Sequence, residues 1–332
     1  MAEQCYRVLA LDGGGIRGLI PAEVLKEIET HMNRPISDMF DLVAGTSTGG
    51  ILALGLTKPG ENGKAQFSAS DMCDLYLNEG MAIFPRSIFH ALKTLHGLAG
   101  ARYPAAPIEH LLAERFGDTM LSQALCELVI PSYDLSAPGP YFFKREYAKN
   151  ETEDWDVPMA LVARATSAAP TYFDPAVLQS ATGRGDHALV DGGTFANNPT
   201  LSGYVDALRL RQEDVPRVLV ISIGTGLPPQ TPGSGPIPIE ANHVRDFGLV
   251  KWARPLLEVV LDGVPKAVEY QMNEIQAANP TLDYYRLQSD LPTASHALDD
   301  ASPENCAKLV ADAKSLIADS TDTLQKIYDE LA

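Results

Sequence analysis

At 332 residues, with 45% hydrophobic and 21% charged side chains, the chain can bury a full core as one large domain or two modest ones. Its net charge of −17 argues against non-specific binding of DNA or RNA, which needs a Lys/Arg footprint, and against general adhesion to anionic membranes. The four cysteines, Cys5, Cys73, Cys126 and Cys306, are scattered and form no C-x-x-C pair, a pattern of neither a disulfide scaffold nor a zinc site. With no apolar leader followed by a small-residue cleavage site, and with polar residues interrupting every long apolar run, the expectation is a cytoplasmic, non-spanning protein.

In chain order, residues 6–11 (YRVLAL) read as a strand that runs into a glycine-rich turn, and Ile16, Leu19, Ile20, Val24, Leu25 and Ile28 carry helical periodicity to residue 32. A second strand, FDLVAG at 40–45, ends in another turn before the apolar helix pattern GGILALGL. Two strand–glycine turn–helix units within 58 residues predict an α/β protein with parallel strands. Strands follow at 127–135, 140–144, 187–193 and 217–225, and a helix at 157–169. Asn198-Pro199 predicts a cap and first turn for the helix TLSGYVDALRL. Residues 226–242 are rich in Pro, Gly and Ser and read either as a linker or as a surface loop. Helical patterns at 244–261, 264–277 and 303–330 follow, with a short strand, DYYRL, before the last.

Two of the turns carry chemistry. Gly45-Thr46-Ser47-Thr48-Gly49 is a G-x-S-x-G between a strand and a helix, the setting of a nucleophile elbow. Gly45 and Gly49 flank Ser47 because side chains there would clash with the neighbouring helix and strand. Ser47 also opens a helix, whose free N–H groups favour developing negative charge. A serine needs a base, and none of the seven histidines suits: five lie in or beside predicted helices, His296 sits in a polar loop, and His187 starts a strand at the end far from Asp191. Asp191 ends that strand before two glycines, where backbone approaches closely. An aspartate is a weak base at its ordinary pKa near 3.9, and desolvation beside a serine raises it.

Acyl transfer further needs donors aimed at the tetrahedral oxyanion. The first turn, Asp12-Gly13-Gly14-Gly15-Ile16-Arg17-Gly18, offers the backbone N–H groups of Gly14 and Gly15, with Gly13 as a third candidate. Arg17 adds positive charge there, or is a solvated first-turn arginine, or pairs with Asp12.

D-G-G-G-x-R-G, then G-T-S-T-G-G, then D-G-G, with ATSAAPTYFDP before the last, resembles the patatin-like phospholipase family, which includes calcium-independent phospholipases A2; the resemblance covers residues 6 to about 226. It implies a three-layer fold, a central mainly parallel sheet flanked by helices, as a catalytic core over 1–226. Residues 227–332, the Pro/Gly-rich loop and a mainly helical extension, then pack on that core as one domain. It implies a Ser47–Asp191 dyad, an oxyanion hole over Gly13, Gly14, Gly15 and Arg17, and phospholipase A-type hydrolysis of membrane glycerophospholipids with no metal or cofactor. Similar compact bacterial enzymes serve in antiphage (CBASS) systems, and the resemblance implies activation by a cyclic dinucleotide and a homo-oligomer.

Residues 80–108 contain no Asp or Glu in an otherwise acidic chain and hold Arg86, Lys93 and Arg102 beside Phe84, Phe89 and an i, i+4, i+7 series of Ile88, Leu92 and Leu95. They read as a peripheral membrane-docking segment or lid, or as a helix with its apolar stripe on the core. Two rival readings remain. Gly13, Gly15 and Gly18 match G-x-G-x-x-G, but a dinucleotide fold expects an acidic residue ending the second strand, where this chain has Gly45-Thr46-Ser47. An inactive lipid-binding scaffold is the other, against which the intact Ser47 and Asp191 motifs speak.

Overall fold

The computed structural model describes residues 4–83, 101–150, 155–181, 183, 185–211, 216–227 and 249–332. Its strands are β1 (Cys5–Leu11), β2 (Leu42–Gly45), β3 (Glu127–Asp134), β4 (Gly139–Lys144), β5 (Ala176–Leu178), β6 (His187–Asp191), β7 (Arg217–Ile223) and β8 (Leu282–Leu287). Its helices are α1 (Leu19–Met32), α2 (Thr48–Thr57), α3 (Ala69–Ile83), α4 (Ala106–Phe116), α5 (Arg145–Asn150), α6 (Met159–Thr166), α7 (Gly193–Ala196), α8 (Thr200–Leu210), α9 (Leu249–Ala278), α10 (Pro303–Asp319) and α11 (Thr321–Leu331).

β3, β2, β1, β7 and β8 form a parallel run, and β4, β5 and β6 extend the sheet antiparallel at the β3 end. The central strands are buried on both faces. Leu9, Leu11, Val43, Ile130, Leu219 and Ile221 point into the larger core with α1, α2, α3, α4, α6 and α10. Val8, Ala10, Leu42, Ala44, Val218 and Val220 point the other way, onto α8 and α9. The period-2 alternation of continuous apolar strands thus builds the three expected layers. The eighth strand lies beyond residue 226 and pairs with β7 from Val218↔Leu282 to Ile223↔Leu287, so the C-terminal region completes the sheet.

The register around β3 positions the site. Val129 pairs with both Ala44 of β2 and Lys144 of β4, while Ser132 pairs with both Tyr141 of β4 and Asp191 of β6. A residue has two edges, so β4 takes one edge of β3, and β2 and β6 share the other. Since β2 runs parallel to β3 and β6 antiparallel, the C-terminal ends of β2 and β6 converge head-on.

Several elements differ from expectation. The patterns at 244–261 and 264–277 belong, from residue 249 on, to one helix, α9, even though Pro265 lies inside it. Proline deprives the carbonyl four residues earlier of its N–H partner. That carbonyl, Leu261 O, instead accepts from Asn197 Nδ2 at 2.9 Å. The pattern at 303–330 is two helices, broken at Ser320 (φ −101°, ψ 17°). Residues 84–100, which carry most of the basic apolar segment, lie outside the described residues. Of that segment, Arg102 pairs with Asp299 at 2.7 Å. No helix among the described residues is long and apolar enough to cross a membrane.

Candidate active site

Ser47 sits between β2 and α2 with φ 55° and ψ −122°, a left-handed backbone that costs a non-glycine residue of the order of 1–3 kcal/mol. Its neighbours explain how the turn closes. A Cβ on Gly45 would lie 2.2 Å from Gly49 O, and one on Gly49 would lie 2.3 Å from Leu11 O. Only glycine lets α2 start this close to the ends of both strands. The Thr166 hydroxyl fixes the turn from the far side, accepting from Ser47 N–H at 3.0 Å and donating to Pro131 O at 2.7 Å. Ser47 itself is half-buried.

Asp191, 4% exposed, accepts at 2.7 Å from Gly193 N–H and lines the same cavity as Ser47, whose hydroxyl is the other donor near its carboxyl. Burial raises its carboxyl to about 7, against the lowering by those two donors. Gly192 is again a close approach, where a Cβ would meet Pro131 O at 2.3 Å. A carboxyl that is half ionised near neutrality, beside a serine on a strained turn, can take up and return one proton at physiological pH.

The glycine turn divides its labour. Gly13 N–H donates to Asn197 O at 2.9 Å, which removes it from the expected donors. Gly14 and Gly15 N–H form no hydrogen bond among the described residues, and both residues line the cavity that Ser47 and Asp191 also line. Gly15 has φ +59°, and a Cβ there would lie 2.1 Å from Leu298 O. Ile16 N–H donates to the same Leu298 carbonyl at 2.9 Å, so a C-terminal loop clamps the turn.

Arg17 is neither solvated nor paired with Asp12. It is 5% exposed and donates weakly to Gly14 O (3.4 Å) and Gly226 O (3.3 Å). The guanidinium expected for Asp12 comes instead from Arg286 on β8, whose Nη1 meets Oδ1 at 2.9 Å and whose Nη2 meets Oδ2. His296, expected in an open loop, is half-buried and bonds Leu291 O at 3.3 Å. His187 bonds Asp134 at 2.6 Å, at the opposite end of β6 from Asp191.

Sequence reasoning missed Thr166, Asn197, Thr225 and Arg286. Thr166 lies in the quoted ATSAAP stretch and Asn197 in DGGTFANNP, but neither spacing reveals what the side chain holds. Thr225 Oγ1 donates to Gly13 O at 2.9 Å and Asn197 Nδ2 lies 3.4 Å from the same oxygen. Together they fix the first glycine so that the next two stay free. The walls of this cavity include Ile51, Ile83, Ile108, Tyr172, Phe173 and Leu261.

A serine on a strained strand–helix turn, a buried carboxyl near it and unengaged amides beside an apolar cavity make an arrangement suited to acyl transfer. The family profile described as patatin-like phospholipase matches residues 9–204, and the chain belongs to that family of lipid acyl hydrolases. Patatin-like protein 2 of Arabidopsis thaliana is 33% identical over 328 residues, covering 90% of this chain and 79% of its own. Patatin group M-3 of Solanum tuberosum is 29% identical, covering 99% and 89%. A third relative, from Solanum tuberosum, is named probable inactive patatin-3-Kuras 1 and is 32% identical over 94% of this chain and 86% of its own. Kinship therefore includes a protein called inactive, and the activity of this chain has to be argued from its own residues.

Proposed function

We propose that this protein is a phospholipase A-type hydrolase that cleaves acyl esters of membrane glycerophospholipids through a Ser47–Asp191 dyad. The observation that carries the reading is that Ser47, on a strained strand–helix turn, and the buried Asp191 line one cavity together with Gly14 and Gly15. Ionised Asp191 takes the Ser47 proton as Oγ attacks the ester carbonyl. The Gly14 and Gly15 N–H groups receive the oxyanion, one such donor being worth about 2.7–4 kcal/mol. Collapse of the intermediate expels the glyceryl alcohol, which leaves with the proton from Asp191. Asp191 then deprotonates a water that attacks the acyl-enzyme, and the second collapse releases the fatty acid and restores Ser47. Every step uses groups of this chain and needs no metal or cofactor.

The apolar lining suits a fatty acyl chain better than a nucleotide, and Asp12 beside the glycine turn is already paired with Arg286. Membrane contact through residues 80–108 remains part of the proposal, as does control by a cyclic dinucleotide in antiphage defence, which rests on the sequence resemblance alone. The test is a fluorophosphonate probe together with lipidomics on phospholipid vesicles. Wild type should label and release fatty acid, and Ser47→Ala should do neither. Release by folded Ser47→Ala at the wild-type rate would overturn the dyad.

A further inference from the structure

The helix that carries the nucleophile also points along a path. Ser47, Ile51 and Gly55 follow at i, i+4 and i+8, so they lie on one face of α2, about 6 Å and 12 Å apart along the axis. The cavity at Ser47 runs along this face, between Tyr76 and Ile83 of α3 and Ile108 of α4, as far as Ile51. A second cavity, about 800 Å³ with its mouth, begins at Ile51 on the same face and continues past Gly55 between α3 and α4. Ile51 lines both and is 6% exposed. Its side chain is the partition between them.

We propose that Ile51 is the end-stop of the cavity along α2 and sets how many methylenes of a bound fatty acyl chain are buried there. This rests on Ser47 being the acylated residue. An acyl chain held on Ser47 Oγ and lying along α2 meets Ile51 after one helical turn. Beyond it, Phe67, Met72, Leu75, Leu112 and Phe116 supply an apolar floor ready for more methylenes. Gly55 keeps this floor close to the helix, since a Cβ there would lie 2.6 Å from Met72 Sδ. The rim of the second cavity carries Asp71, Asp74 and Glu79 against Arg115. That net negative rim disfavours a phosphate headgroup and leaves an uncharged alkyl chain as the fitting occupant.

Tyr76 steadies the partition. Its hydroxyl pairs with Thr48 Oγ1 at 2.5 Å and donates to Thr48 O at 3.1 Å, locking α3 to the first turn of α2. Shortening the residue at position 51 should therefore join two existing cavities without moving the walls.

The experiment compares kcat/KM on p-nitrophenyl esters from C4 to C16 for wild type, Ile51→Ala, Ile51→Phe and Ile51→Ala/Leu75→Phe. Burial is worth about fourfold per methylene, so two or more added methylenes should raise the C16 to C8 ratio of Ile51→Ala about tenfold or more. Ile51→Phe should lower that ratio, and Leu75→Phe, by refilling the second cavity, should cancel the gain. A ratio within twofold of wild type in folded Ile51→Ala overturns the proposal, as does a gain that survives Leu75→Phe, since that is slack packing and not a joined cavity. If Ile51→Ala does not fold, an unchanged ratio in Ile51→Phe overturns it. Fluorophosphonate labelling of each variant separates the two levels: Ser47→Ala that still turns over these esters defeats the reading of Ser47, whereas labelled variants with an unaltered chain-length profile defeat only the end-stop.

Discussion

Asp12 and Arg286, 274 residues apart, form a bidentate ion pair directly beneath the glycine turn, with both side chains almost fully buried. Arg286 Nη1 also donates to Ser222 Oγ at 2.7 Å, and Ser222 bonds Thr200 at 2.7 Å, which links β8, β7 and the start of α8. Removing one partner of such a pair leaves an uncompensated buried charge and costs about 3–5 kcal/mol. Arg286→Met should lose that much in urea denaturation, and Asp12→Asn/Arg286→Met should recover a large part of it. A single variant within 1 kcal/mol of wild type would show that the pair is not needed to hold the turn.

The pH dependence follows from Asp191. Its carboxyl is raised to about 7 and must be ionised to accept the serine proton. The rate kcat/KM should rise with pH through an apparent pKa near 7 and level off above it. A profile already flat from pH 5 upward would mean that the base titrates like an ordinary carboxylate.

Stability should run the other way. A carboxyl whose folded-state pKa lies above the unfolded value near 3.9 favours the native state most below that value, and the contribution is lost as pH rises through about 7. The loss amounts to about 4 kcal/mol by pH 8. Asp191→Asn keeps a neutral side chain at all pH values. Its Tm should therefore match wild type near pH 4 and exceed it increasingly toward pH 8, while turnover is lost. Equal Tm differences at pH 4 and pH 8 would contradict the buried, proton-linked carboxyl.

Gly14 tests the free amides. A Cβ there would lie 2.3 Å from Thr225 Oγ1 and 2.5 Å from Thr225 Cβ. Gly14→Ala should push the turn off Thr225, misalign the donors and lower kcat by about 10² with little change in KM. Gly14→Ala/Thr225→Gly removes the clash and should regain part of the rate. Loss confined to KM would place the turn in substrate binding and not in oxyanion stabilisation.

Much of this arrangement is legible one segment at a time. The strand–turn–helix units, Ser47 on its elbow and Asp191 at a strand end can be read because each rests on local requirements: alternation in a buried strand, glycine where backbone meets backbone, a helix beginning after the turn. The partners are a different matter. Arg17 and Arg286 look alike as sequence, and proximity in the chain favours Arg17 for Asp12, yet β8 delivers Arg286. Similarly, Gly13 to Gly15 look equivalent, and it is Asn197 O, distant in the chain, that takes the first amide out of use.

The sequence by itself determined the element types, the two glycine turns and the identity of the nucleophile and base candidates, since those depend on residues within a few positions of one another. Tertiary structure alone decided that β2 and β6 meet end-on along one edge of β3, which charge sits opposite Asp12, and which amides remain free. These are outcomes of sheet order and burial. Register along β3 brings together Ser47 and Asp191, 144 positions apart in the chain, and the desolvation that lifts the Asp191 carboxyl to about 7 exists only once the layers have closed over it.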